Sequence, residues 1–160
     1  MEKTQLEFFL YHMDGNWISH KTIYYLKNKT FTNNQAKIRI NITKKHSNQL
    51  LTNENINIEQ FHQHNILNKN IIYKYNIETK DKLHTTGKLE KINNDVHKEY
   101  LFNFQDSCLK LQKKIKNINY TEYIYFINKK FILAIIIIKK QQNYIAVGFN
   151  SNIKINENSQ

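Results

Sequence analysis

Hydrophobic positions along the chain follow two different periods. Leu6, Phe9, Leu10 and Met13 recur at the spacing of one helix face. Thr4 and Glu7 have the S/T-x-x-E separation of a capping box, in which hydroxyl and carboxylate satisfy each other's backbone N–H groups. Asp14-Gly15 supplies a stop, because glycine can enter the left-handed region past a helix end. The pattern predicts one short amphipathic helix over residues 5–13.

After Gly15 the period changes to two. Segments rich in Ile, Tyr, Phe and Thr alternate with Asn, Lys, Asp or Gly clusters, which predicts strands over 16–26, 36–44, 70–78, 85–92, 98–105, 109–115, 120–128, 131–140 and 144–155, the last bending near Gly148. Lys37-Ile38-Arg39-Ile40-Asn41-Ile42 shows the alternation most cleanly, with Ile on one face and polar groups on the other. Between residues 45 and 69 the pattern fails; Ser47 is a candidate cap for a short helical piece, and Ile58-Glu59-Gln60-Phe61 a candidate start for another. Consecutive antiparallel strands of this number usually close on themselves, since closure removes exposed edges. The expectation is an all-β protein, a single antiparallel up-and-down barrel over about residues 16–155 with the helix at one end. The run Phe131–Ile138 does not alternate. A strand apolar on both faces is covered on both, so its outer face calls for the helix or a second subunit.

Composition changes how the charge is read. The chain has 24 Asn, 24 Ile and 23 Lys against three Ala, three Gly, no Pro and a single Arg, Arg39. The enriched residues have A/T-rich codons and the depleted ones G/C-rich codons, the mark of an A/T-biased genome such as that of a plastid. The formal net charge of +11 would ordinarily suggest nucleic acid or an anionic membrane surface. Here dispersed Lys fills in for Arg, the residue preferred for phosphate and base recognition. A solvated basic surface, attractive to an acidic protein partner, is favoured over a nucleic-acid groove. One cysteine, Cys108, excludes an internal disulfide and reads as a small buried hydrophobe in a reducing compartment. The N-terminal residues lack a signal-peptide pattern, and no apolar run approaches the roughly 20 residues of a membrane span; a soluble protein is expected.

Several residues are candidates for chemistry. Gly15-Asn16-Trp17 has the G-x-W form that opens the first strand of calycin (lipocalin-like) barrels, glycine allowing close entry to the barrel floor and Trp17 plugging it. Barrels of this size often hold one small ligand. Tyr120, Glu122, Ile124 and Phe126 share one strand face. Facing inward, Glu122 would be a carboxylate in an aromatic cavity, fit to donate a proton or bind ligand nitrogens; facing outward, it is a solvated side chain. Lys21 shares its strand face with Trp17, Ser19, Ile23 and Tyr25, and is either a cation for ligand carboxylates or a rim lysine. Tyr73 and Tyr75 are further candidate ligand contacts. The histidines offer no metal-ligand spacing beyond His62-Gln63-His64, which lacks an evident third ligand. No metal site is assigned, and no Ser or Cys nucleophile carries a motif.

Phe8-Phe9 followed by Gly15-Asn16-Trp17-Ile18-Ser19-His20-Lys21-Thr22 resembles the start of the CpcS/CpeS-type phycobiliprotein lyases, where a helix ending in FF precedes G-x-W-x-S-x-R-T. Tyr120–Phe126, the apolar strand ending at Lys139, then Gly148-Phe149 and Ser151-Asn152-Ile153 resemble that family's later segments, so the likeness covers about half the chain. The resemblance implies a lipocalin-like barrel of about ten strands, often dimeric. It implies binding of an open-chain tetrapyrrole (a bilin such as phycocyanobilin or phycoerythrobilin) as substrate, with no permanently bound cofactor, and its attachment to a cysteine of a phycobiliprotein subunit by thioether formation. It assigns the family's pocket glutamate to Glu122 and the arginine of W-x-S-x-R to Lys21. Two further family arginines fall on Ile132 and Ala134, which marks these as ligand-facing positions and leaves their cationic role to Lys21, Lys139 or another cation. The implied partners are the acceptor subunit and a second copy or second lyase subunit, in the plastid stroma. A non-enzymatic lipocalin-like carrier of a bilin or other hydrophobic ligand is the alternative.

Overall fold

Asp14 and Gly15 stand at the junction between a helix and a closed wall of strands. The structure, a computed structural model, describes residues 4–45, 55–63, 68–80 and 84–156. Helix α1 (Gln5–Tyr11) is followed by β1 (Gly15–Tyr25), β2 (Thr30–Lys45), β3 (Asn55–Gln63), β4 (Lys69–Lys80), β5 (His84–Asn93), β6 (Val96–Gln105), β7 (Cys108–Ile115), β8 (Ile118–Asn128), β9 (Phe131–Lys140) and β10 (Asn143–Lys154). Each strand pairs antiparallel with its sequence neighbour, and β10 returns to pair with β1, closing a ten-stranded barrel.

The capping box is formed as the spacing requires: the Glu7 N–H donates to the Thr4 hydroxyl at 3.2 Å, and the Thr4 N–H donates to the Glu7 carboxylate at 2.8 Å. The helix ends at Tyr11 rather than residue 13, with His12 as its cap. Leu6, Phe9, Leu10 and Met13 are all buried, as their period predicts. They enter one end of the barrel, where Phe9 packs against Phe104 and Phe126 at centroid distances of 5.1 and 4.9 Å. Gly15 then turns the chain into β1 with φ of 123°, a conformation that side-chain-bearing residues rarely adopt. Two residues later Trp17 is fully buried, its indole N–H donating to the Met13 carbonyl at 2.8 Å. Asp14 anchors the same junction by accepting from the Ile42 N–H of β2. Helix, Trp17 and the phenylalanines therefore plug one end of the barrel.

Four expectations change. The stretch placed as irregular or helical around Ile58–Phe61 is strand β3, with Ile56 and Ile58 both 1 % exposed; Asn57 between them is a strand residue and does not mark a turn. Ser47 lies outside the described residues. Strand β2 begins at Thr30, because residues 30–35 pair with β1 although they carry little apolar patterning. The register of β10 runs unbroken through Gly148, and its irregularity falls instead between Tyr144 and Ala146. Finally, α1 lies in the barrel end, so it does not cover the outer face of β9, where Ile132, Ala134 and Ile136 point in and the alternate residues point out half-buried.

Trp17→Ala should cost about 3–5 kcal/mol of folding free energy, since it removes a buried indole and strands the Met13 carbonyl. Denaturant unfolding measures this; a cost below about 1 kcal/mol would contradict the plug.

Candidate functional site

Beyond the plug, the barrel interior opens into a cavity of about 350 Å³. The two-residue strand period decides what faces it. On β1 the inward series from Trp17 continues through Ser19 and Lys21. On β8 it is Tyr120, Glu122 and Ile124, on β4 Ile71, Tyr73 and Tyr75, and on β9 Ile132 and Ala134. The structure thus brings Glu122, Lys21, Trp17, Tyr73, Tyr75, Tyr120, Ile132 and Ala134 to one cavity. It settles the two open orientations, with Glu122 and Lys21 both pointing in.

Among the described residues, Glu122 is the one carboxylate on the cavity wall. Its Oε2 accepts from the Tyr120 hydroxyl at 2.7 Å. Around it stand Tyr73, Tyr100 and Tyr120, all half-buried, and the buried Tyr75. Burial pushes all four phenols up, and the Glu122 charge adds to the shift; Tyr100 reaches about 12 and the others go higher. These phenols are neutral donors across the whole physiological range.

Two lysines share the cavity with this carboxylate. Burial lowers the Lys21 ammonium below its ordinary value, and Lys91 and Lys98 lower it further, while Glu122 partly restores it. Lys91, on β5, is lowered by burial and likewise restored by Glu122, and its Nζ lies 5.4 Å from the Tyr73 ring centroid. Lys69 also lines the wall. The interior therefore has an excess of cations over acids. Partly desolvated ammonium groups of this kind gain by pairing with ligand anions.

Acceptors are left over as well. The side-chain carbonyl oxygens of Asn93 and Asn152 are buried, line the cavity and meet no donor among the described residues. A buried acceptor without a partner is costly, so these oxygens favour a ligand that brings N–H groups. Ser19 spends its hydroxyl on Asn150 at 2.9 Å.

Lys139 is not at the site: it lies on the outer face of β9, its Nζ 4.4 Å from the Tyr144 ring centroid. The cation beside Lys21 is Lys91, which the sequence reading did not single out. Its signal was the inward series Leu89, Lys91, Asn93, masked because a lysine at an inward position reads as solvent-facing. Tyr100 follows from Phe104 and Phe102 in the same way. Cys108 is half-buried rather than buried, on the outer face of β7 beside the Tyr125 hydroxyl. His62 lies on β3, and His64 falls outside the described residues. Among the described residues no group of His, Cys, Asp or Glu has a metal-binding arrangement, and no helix is long and apolar enough to cross a membrane.

No protein-family model matches the chain. A curated protein of Gracilaria tenuistipitata var. liui, described as a chromophore lyase CpcS/CpeS homolog, is 36% identical over 143 residues, spanning 88% of this chain and 91% of the relative. Among solved structures, the S-type phycobiliprotein lyase CPES from Guillardia theta superposes with a TM-score of 0.63, covering 97% of this chain and 95% of that one at 13% identity. That likeness concerns the fold.

A near-ultraviolet tyrosinate titration should separate the ten tyrosines into two groups. Tyr73, Tyr75 and Tyr120 keep their protons in the folded barrel at a pH where the unfolded chain loses them, so the stability they contribute is present below pH 10.0 and is lost as pH rises above it. These three should ionise only as the sheet signal collapses in base. Ionisation of all ten in one step with the sheet intact would contradict the cavity's burial. Lys21 and Lys91 work in the opposite sense: their lowered values cost stability at neutral pH, and that cost is relieved as pH rises toward 10.5.

Proposed function

Because the chain belongs to the CpcS/CpeS chromophore lyases, we propose that its cavity holds an open-chain tetrapyrrole and presents it for covalent attachment to a cysteine of a phycobiliprotein subunit. The observation that carries this reading is the pairing of one carboxylate with surplus cations inside an aromatic wall. A bilin has pyrrole and lactam N–H groups along its body and two propionates at its middle. Glu122 is the acceptor for those nitrogens, with Asn93 and Asn152 as further acceptors. Lys21 and Lys91 are the cations for the propionates, and Trp17, Tyr73, Tyr75 and Tyr120 pack the conjugated system. Ile132 and Ala134, where the family carries arginines, give this pocket a smoother apolar wall, and Lys91 takes over cationic work from the opposite side.

The reaction is an addition. The acceptor thiolate forms a C–S bond to the bilin's ethylidene carbon, and the electron pair of that double bond takes up a proton at the adjacent ring carbon. No oxidant and no leaving group are needed. The chain's contribution is orientation and protection: it holds a flexible ligand in one geometry and excludes water and stray nucleophiles. Glu122 is the candidate catalytic group, fixing the protonation of the pyrrole nitrogens while Tyr120 holds its carboxylate in place.

The acceptor subunit is the proposed partner, and nucleic acid is not. A homodimer or a pairing of two lyase subunits is the other arrangement the apolar β9 accommodates. The A/T-biased composition and a red-algal relative support a plastid, stromal location.

Titrating the purified protein with phycocyanobilin and with phycoerythrobilin should shift and sharpen the absorption of at least one of them. Glu122→Gln should weaken binding by about tenfold or more and lose the band of the protonated chromophore. No spectral change with either bilin overturns the reading, as does a Glu122→Gln protein that binds and colours like the unaltered one.

A further inference from the structure

The outer wall of the barrel divides into two halves of different charge. Strands β7, β8, β9, β10, β1 and β2 are contiguous in the closed sheet. From Gly15 to Lys45 and from Cys108 to Lys154 the chain carries one acid, Glu122, and it points into the cavity. The outer face of this half is therefore free of carboxylates, while Lys37, Arg39, Lys110, Lys114 and Lys139 stand on it. The other half, β4 to β6, carries Glu78, Glu90 and Glu99 on its outer face.

The centre of the acid-free half is apolar. The strand register sets outward side chains in lateral rows: Tyr123 on β8 stands beside Ile135 on β9 and Phe149 on β10. The rows on either side are Ile137 with Val147 and Leu133 with Ser151, and beyond the latter lies Phe131 with Ile153. Phe149 is 53% exposed and Ile153 56% exposed, and the helix that might have covered them is in the barrel end. A contiguous apolar surface with a charged rim marks a protein-binding site.

We infer that this face docks an acidic protein surface with an apolar centre, which on the reading above is the phycobiliprotein subunit that accepts the bilin. Charge complementarity selects this occupant. A second copy would bring the same acid-free, lysine-rimmed face against its own likeness, in a chain whose net charge is +11. At the cavity end the same half also exposes Leu26, Phe31, Ile115 and Ile118, so an anionic vesicle is the rival occupant that the test must exclude. Nucleic acid would call for stacking or bidentate groups where the face presents aliphatic ones. The strands of this face run up to the cavity mouth, so a subunit seated here lies beside the opening through which its cysteine must reach the ligand.

The test titrates the full chain with recombinant apo-subunits of phycobiliproteins, α and β separately, and compares Phe149→Asp and a Lys110→Glu/Lys139→Glu double variant with Leu101→Asp. Leu101 is 57% exposed on β6, in the acid-bearing half, so it controls for adding an acid to an exposed wall. Bilin uptake is read on the same samples, so failure of the ligand reading shows in the absorption spectrum and failure of the docking proposal in the subunit titration. The expected result is binding of one subunit, weakened about tenfold or more by both outer-face variants and by added salt, unchanged by Leu101→Asp, with the bilin spectrum of every variant intact. Binding of neither subunit, or equal binding by all variants, overturns the proposal. So does sedimentation showing that Phe149→Asp turns a dimer into a monomer without affecting subunit binding, or that the face instead binds anionic vesicles.

Discussion

A sheet closed on itself fixes an interior that its own side chains must either fill or leave open, and the rest of this structure follows from how that space is divided. Every second residue of ten strands points inward. At one end the inward residues are large and apolar, and α1 adds Leu6, Phe9 and Leu10 to them. Trp17 marks the boundary, bonded back to Met13. Past it Lys, Tyr, Asn and one Glu stand among the inward Ile, Leu and Ala, and these polar groups cannot be packed dry against one another. A cavity results because the same two-residue period runs through a change of composition.

That change explains the site's electrostatics. Glu122 offsets only part of the burial cost of Lys21 and Lys91, and Tyr120 holds it as a donor that stays neutral. Among the described residues the interior is under-satisfied in both directions: one carboxylate faces Lys21, Lys69 and Lys91, and the Asn93 and Asn152 side-chain carbonyls meet no donor. A ligand carrying carboxylates and N–H groups on a conjugated body relieves both. Ile132 and Ala134 bring no charge to the wall, yet the cavity is not neutral, because Lys91 enters it from another strand.

The fold was legible in the chain wherever Ile or Phe alternated with polar residues, as in Lys37–Ile42, and the capping box and G-x-W junction placed the helix and plug correctly. Strand β3 was not legible, because a composition heavy in Asn makes turn formers and strand filler look alike. The inward set was readable on β1 and β8, where Trp17 and Phe126 give the face its parity. It was hidden on β5, where an inward lysine follows Leu89 and breaks the hydrophobic pattern that the reading relies on. The outer surface was half legible: the non-alternating Phe131–Ile138 run announced a covered face, but not that α1 would be spent on the barrel end, nor that the outer face of six adjoining strands would carry no carboxylate.

The central claim is that the cavity reads two kinds of group at once, nitrogens through Glu122 and carboxylates through Lys21 and Lys91. The most direct measurement compares binding of a free-acid bilin with that of its dimethyl ester, in the unaltered protein and in a Lys21→Met/Lys91→Met variant. The account predicts that the unaltered protein prefers the free acid by about tenfold or more and that the double variant loses the preference while still binding the ester. Equal affinity of the unaltered protein for acid and ester would contradict it.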